Sequence, residues 1–422
     1  MSLDRRLRIA SAYMRTRLEA RRLTDRKALA AHQQRLWRRL APTLARTPAL
    51  ASLAGRPLAD FPVVEPAEAR ADFAAWNSLG LDEASARAAA EAAERGEAPA
   101  QGRGFDAGFS TGSSGGERGL FVTTAHERDE YLGASLGKLI PPMRLLRPLR
   151  VALILRAGGS LYSDVTGAGV RFLHLGLDES AETQLQILKA FDPTHLVAPP
   201  HVLASLAREL ERRVSWRPAL DRLFYGAEPI GRREAVWLAQ AFGRAPQPIY
   251  QATEGFLGAP CAHGTLHLNE DSLIIEQEPF EGSDRWRPVI TDLRRTSQPM
   301  VRVRLDDLLQ TRREPCPCGS AHLAVEPVEG RVGDVWRFPG VLVFPREVDD
   351  ALEAALGPSE RWTAWGSPQG VTLSAATLSL RDLGATALRG LLQTRGVVIP
   401  IRTAPEPDPP FGPKRRRVRW AP

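Results

Sequence analysis

Between residues 150 and 255 the sequence alternates short apolar runs with stretches of helical periodicity. The runs are VALILRAG (151–158), VRFLHLGL (170–177), THLVAP (194–199), LDRLFYGAEP (220–229) and PIYQATEG (248–255). Helical spacing fills 180–191, 201–213 and 231–242 between several of them. Runs this apolar fit strands covered on both faces, and neighbouring parallel strands need long crossovers, usually helical. The alternation predicts an α/β fold with an at least partly parallel sheet.

The flanking regions read differently. Residues 1–47 carry helical periodicity, with Leu3, Leu7, Ala10 and Met14 one apolar row; Pro42 and Pro48 are expected to break it. Residues 82–98 are Ala/Glu-rich and again helical. GTLHLNE, SLIIEQE, PVITDL and MVRVRLDDLLQ, within 264–313, read as successive short strands. From Gly330 onward EVDDALEAAL is a helix among weaker strand patterns, and the proline-rich 404–413 is extended. A chain of 422 residues is too long for one core. The expected division is a large α/β domain, 1–329, with a helical lead-in segment 1–80, and a small α+β domain, 330–422.

With 43% apolar and 25% charged residues, the chain is no disordered polymer. No run approaches the roughly 18 apolar residues of a membrane span, and MSLDRRLRIA lacks the apolar core of a secretory signal. Three cysteines make no disulfide framework, so a reducing cytoplasm is the expected setting, with no membrane partner. The net charge of +7 is nearly all arginine; the lysines are Lys27, Lys138, Lys189 and Lys414. Most arginines are interleaved with acids, as in RELERR (208–213), which reads as a solvated helix face. Nucleic acid is therefore not the expected partner, despite dense arginine in the first helix and KRRR at 414–417. A homodimer is compatible with the sequence.

Five local patterns carry chemistry. Ser110, Thr111, Gly112, Ser113, Ser114 and Gly115, between FDAGF and LFVTT, form a hydroxyl- and glycine-rich loop between two strands. Such a loop can turn backbone N–H groups and hydroxyls toward an anion. Tyr250-Gln251-Ala252-Thr253-Glu254-Gly255 ends a strand with a hydroxyl for phosphate and a carboxylate for Mg²⁺. Asp306-Asp307 lies at another strand end, where an aspartate can accept both hydroxyls of a ribose. Cys261, His263, His267, Cys316 and Cys318 include every cysteine of the chain. Cys261, Cys316, Cys318 and one histidine make a closed tetrahedral zinc set, and His267, in an alternating strand, is the expected fourth ligand. Lys414 is an ammonium in a chain that otherwise writes arginine, suited to reach between a carboxylate and a phosphate.

Taken in order, these patterns resemble the adenylate-forming superfamily, specifically its phenylacetate–CoA ligase-like branch. GFSTGSSGGERG resembles the branch's phosphate loop, Tyr225-Gly226-Ala227-Glu228-Pro229 its adenine-lining segment, and YQATEG its α-phosphate and Mg²⁺ motif. Pro299 to Leu308 resembles the stretch whose aspartate, here Asp307, holds the ribose. CPCG followed by Gly330-Arg331-Val332-Gly333-Asp334 resembles the hinge into a mobile C-terminal lid, and GVLVFP (340–345) a motif just beyond it. QATEGFLGAPCAHGTLHLNED and ITDLRRTSQPMVRVRLDDLL resemble a subgroup related to coenzyme F synthetases, which adenylate a deazaflavin. Gly116-Glu117, Asp306 and Pro413 depart from the family pattern.

The resemblance implies an acid–thiol ligase that uses ATP and Mg²⁺ to form an acyl adenylate from an aryl or aryl-like carboxylic acid. The acyl group then passes to CoA or to a carrier protein. Nucleotide contacts would come from residues 110–115, Gly226, Ala227, Glu228, Tyr250, Asp307 and Arg331. Thr253, Glu254 and Lys414 would serve catalysis. The alternatives are adenylyl transfer to a deazaflavin-like hydroxyl and a zinc-stabilised binding protein without catalysis.

Overall fold

A computed structural model describes residues 2–95, 97, 104–109, 119–155, 169–212, 216–406 and 415–422. The phosphate-loop residues Ser110 to Gly115, and Lys414, lie outside the described residues. Two units share the chain. The first comprises Met1–Gly176, Pro248–Leu305 and Leu309–Glu326; the second comprises Leu177–Gln247, Asp306–Leu308 and Pro327–Pro422.

In the first unit α1 (Leu3–Arg22) is capped by the Ser2 hydroxyl and α2 (Arg26–Leu44) by the Asp25 carboxylate. Pro42 does not break α2, contrary to expectation. It sits in the last turn, and the Ala45 N–H still reaches the Ala41 carbonyl beyond it. Two shorter helices follow, α3 (Pro66–Ala71) and α4 (Glu83–Glu94). The strands Asp106–Phe109 and Leu120–Thr123 pair antiparallel, with Phe109 opposite Leu120. A Thr124–Glu127 capping box then starts α5 (Ala125–Leu139). Leu149–Ile154 pairs parallel with Val170–Leu175, as the apolar runs require.

An antiparallel region closes this unit. Tyr250–Ala252, Gly255–Pro260, Leu266–Leu268 and Ala324–Val325 make one ladder. Leu273–Pro279 and Arg285–Asp292 make a long hairpin in another. The single strand expected at MVRVRLDDLLQ is split into Val303–Arg304 and Asp307–Gln310. Arg302 has φ +49°, a left-handed turn that periodicity cannot reveal, and its N–H is taken by the Thr291 hydroxyl.

In the second unit His195–Ala198 pairs parallel with Arg222–Tyr225. The helices α6 (Ala181–Phe191), α7 (Pro200–Arg212) and α8 (Arg232–Phe242) fill the expected helical stretches. Its C-terminal part is a four-stranded sheet: Ile401–Ala404, Gly370–Ala375, Trp362–Ser367 and Val418–Trp420, in that order. With α9 (Pro345–Leu356) and α10 (Leu378–Thr394) it encloses a core of Trp336, Trp362, Leu352, Leu373 and Leu388, all fully buried. The last strand runs parallel to Trp362–Ser367, so the residues just before Val418 are held by a packed sheet. Among the described residues, no helix is long and apolar enough to cross a membrane.

Candidate functional site

Thr253 and Glu254 form the two-residue turn of a hairpin whose last pair is Ala252 and Gly255. A turn at that point carries both side chains at the tip of the ladder. Arg295 donates to the Thr253 carbonyl at 2.9 Å and to Gln298 at 2.6 Å, bracing the turn from behind. Burial lowers the Arg295 pKa, opposed by Asp292, Glu127 and Glu254. The Asp292 carboxylate accepts from the Arg294 and Arg295 amides at 2.8 and 3.0 Å, and burial pushes its pKa up. Motif reading missed Arg295 and Asp292; the string TDLRR holds them, with no pattern to mark them.

The same unit gathers the metal-binding residue types. The ligand atoms of Cys261, His267, Cys316 and Cys318 lie within 4.8 Å of one another. Cys261 and Cys316 Sγ are 3.6 Å apart, and Cys318 Sγ is 3.3 Å from His267 Nε2. Zinc bond lengths and a tetrahedral angle imply S···S of about 3.7 Å and S···N of about 3.5 Å, so the donor set fits. His267 Nδ1 is 2.9 Å from the His322 carbonyl; donating there leaves Nε2 as the free ligand atom. His263 is exposed and outside the cluster. Burial would raise the Cys316 thiol, but hydrogen bonds led by those from Thr265 and the Cys318 amide bring it down to about 5.

In the second unit, Asp307 stands directly opposite Arg331 in an antiparallel pair, joining the two expected ribose residues. Asp306 is exposed and Asp307 half-buried. The Asp306 carbonyl accepts from the Val332 N–H at 2.8 Å, fixing the start of the expected hinge.

The GAEP segment makes a tight turn after Arg222–Tyr225. Ala227 adopts φ +70°, which for a residue with a Cβ costs about 1–2 kcal/mol. The turn sends the Glu228 carboxylate inward, where it accepts from His201 Nδ1 at 2.7 Å and from the Arg415 backbone N–H at 2.6 Å. Arg415 then forks onto Glu234, with Nη1–Oε1 2.6 Å and Nη2–Oε2 2.8 Å. Arg417 reaches Glu234, Asp349 and Glu353, and its guanidinium lies 4.9 Å above the Trp362 ring. Arg416 pairs with Asp334.

The basic run after Lys414 is therefore no solvated tail: Arg415 and Arg417 are 7% and 8% exposed. RELERR is not wholly a solvated face either, because Arg208 donates to the Ser359 carbonyl and stacks on Trp237. Periodicity misses such cases because it places the helix face but not the partner arriving 150 residues later.

Arg415 is shared by Glu228 and Glu234, and Arg417 by Glu234, Asp349 and Glu353. Burial works against the ionised Glu234, yet Arg415 and Arg417 hold its pKa below the ordinary range. Glu353 goes the other way: burial, with Asp349 beside it, pushes it up to about 7. Its carboxylate also accepts the Arg233 N–H at 3.0 Å at the start of α8. A Cβ at Gly231 would stand 1.8 Å from Glu353 Oε1, so any other residue there would displace that carboxylate.

The architecture has solved counterparts. A 2-hydroxyisobutyryl-CoA ligase in a complex with an acyl-AMP overlays with TM-score 0.64 and 17% identity, covering 94% of this chain and 89% of that one. An anthranilate CoA ligase with anthranoyl-AMP overlays with TM-score 0.54 and 13% identity, covering 76% and 67%. No family model matches the chain. The chain shares the fold of these two ligases.

By sequence, the chain is similar to phenylacetate–coenzyme A ligases. The enzyme of Thermus thermophilus is 27% identical over 187 residues, 41% of this chain and 42% of that one. That of Escherichia coli is 24% identical over 188 residues, 40% and 42%. The matched stretch thus spans about two fifths of each of these relatives.

Proposed function

We propose that this chain is an acid–thiol ligase that activates an aryl or aryl-like carboxylic acid with ATP and hands the acyl group to CoA or a carrier-protein thiol. What carries the reading is the placing of the motifs. Thr253 and Glu254 sit at a hairpin tip, Asp307 faces Arg331, and the residue after Lys414 is bonded to Glu228. The relatives named above are acyl-CoA ligases, which supports the same class.

In this reading the carboxylate oxygen attacks the α-phosphorus and pyrophosphate leaves, so the protein chiefly positions groups and offsets charge. Ser110, Thr111, Gly112, Ser113, Ser114 and Gly115 hold the outer phosphates, and Thr253 the α-phosphate. Gly226, Ala227, Glu228 and Tyr250 line the adenine, while Asp307 and Arg331 hold the ribose. Glu254 is the ligand for Mg²⁺, which when bound neutralises phosphate charge. Lys414 spans the carboxylate and the α-phosphate. Residues 1–329 act as the adenylation domain and 330–422 as a lid that turns about 330–333 before the thiol enters. Cys261, His267, Cys316 and Cys318 bind a structural zinc.

Carboxylate-dependent hydroxamate formation with ATP and a panel of aryl acids tests the activity. Hydroxamate should appear with some acids and need ATP. Pyrophosphate release with a deazaflavin and none with any acid would overturn it.

A further inference from the structure

The helix α1 is mounted with its apolar row outward. Leu3, Leu7, Met14 and Leu18 are 73%, 59%, 54% and 41% exposed. At 100° per residue they fall, with exposed Ala10, in a strip roughly 80° wide. The opposite face is the one that packs. Ala12 and Thr16 lie against α5 so closely that a Cβ at Gly133 would meet the Ile9 carbonyl oxygen at 2.4 Å. Arg5 and Arg8 hold Asp129 at 2.8 and 2.9 Å, and Arg15 holds Glu130. Small residues and ion pairs thus fix α1, and its aliphatic row takes no part. The row runs into a cavity of about 380 Å³ between α1 and α2, lined by Met14, Leu18, Leu23, His32, Arg22 and Arg35. A contiguous apolar strip of this kind marks an interaction surface.

Its borders are cationic. Arg6 and Arg17 follow one edge by helical angle and Arg22 the other, while Arg21 continues the line of the strip one turn past Leu18. The helix holds seven arginines against Asp4 and Glu19, and Glu19 is already paired with Arg294 at 2.7 Å. We infer that this face docks an acidic amphipathic helix of a partner protein, its apolar ridge along Leu3 to Leu18 and its carboxylates against the bordering arginines. A second copy of α1 pairing antiparallel would set the Arg6–Arg17 edge against itself, like charge facing like. A lipid surface calls for a broader face, with aromatic residues at its edge; this strip is narrow and carries none. The inference is independent of the adenylation reading.

The test uses the full-length chain and a fluorescent synthetic helix with leucines along one seam and glutamates on both flanks. Three comparisons accompany it: the same helix with lysines for glutamates, an acidic scramble of identical composition, and anionic vesicles. The acidic helix should bind with micromolar affinity, at least tenfold weaker in 0.5 M salt. The Leu7→Ser/Leu18→Ser double variant should lose at least tenfold in affinity while its melting temperature stays unchanged, because both side chains are exposed. Equal binding of the lysine helix or the scramble, or no binding of the acidic helix, overturns the proposal. So does vesicle binding that Leu7→Ser/Leu18→Ser abolishes, or a dimer that the same variant dissociates.

Discussion

Arg415 shows how one residue can join a motif to a fold. Its amide meets Glu228, its side chain forks onto Glu234, and nothing in the sequence around KRRR announces either bond. Buried as it is, Arg415 cannot serve as a control for plain loss of tail charge. Arg415→Ala leaves the Glu234 carboxylate buried with less compensation, which should cost about 3–5 kcal/mol in a denaturant titration. Glu353 supplies a pH signature. Its pKa is raised in the fold, so its contribution is full below the unfolded value and fades as pH rises toward 7. Between about pH 4.5 and 7, wild type should lose on the order of 1–3 kcal/mol relative to Glu353→Gln. Parallel melting curves of the two proteins would be superimposable in their pH trend if Glu353 titrated normally. At the ribose, Asp307→Ala should weaken ATP binding by about 1.5–3 kcal/mol in a calorimetric titration. Exposed Asp306 is the comparison: a larger loss from Asp306→Ala would move the ribose contact one residue back.

At the scale of elements, the cysteine-bearing turns form one bonded unit. Cys261 and His267 sit on adjoining parts of one hairpin, and Cys316 and Cys318 come from the turn before Ala324–Val325. Purified chain should hold about one zinc, and Cys316→Ser should lower the melting temperature before it selectively alters turnover. Elemental analysis without zinc in protein purified free of chelator would remove the metal from the account. The elements themselves were legible wherever one physical cause dominated. Continuous apolar runs marked Leu149–Ile154 and Arg222–Tyr225, and the pairing of Asp106–Phe109 with Leu120–Thr123 followed from FDAGF and LFVTT. Legibility failed where a tertiary partner overrode the local signal. The row Leu3–Leu7–Ala10–Met14 makes a helix, but the ion pairs to Asp129 and Glu130 turn it outward. Of the candidate site, Thr253, Glu254, Asp307 and the four metal-type residues stood out by type and spacing. Arg295, His201 and Glu234 did not, since each acts through a partner distant in sequence.

For the molecule as a whole, the decisive question is what the anchored C-terminal run does during turnover. If Lys414 spans acid and α-phosphate in the first half-reaction, Lys414→Ala should slow adenylate formation by roughly 10²–10³, the scale of losing one electrostatic donor. Thioester formation from supplied acyl adenylate should be largely spared if, as proposed, residues 330–422 turn away between the two steps. Lys414→Arg should restore little, a planar fork replacing a compact ammonium. Exposed Lys189→Ala serves as the control for one lost positive charge. The clamp gives a second, independent handle. Glu234→Gln leaves Lys414 intact but weakens the hold on Arg415 and Arg417, both of which bond to that carboxylate. It should therefore slow the first half-reaction, by less than Lys414→Ala does, and leave the second unchanged. Pyrophosphate exchange and single-turnover thioester formation separate the two steps. If Glu234→Gln slows both steps alike, the clamp only supports the fold. If Lys414→Ala matches Lys189→Ala, the ammonium that meets the reacting acid must come from elsewhere in the chain.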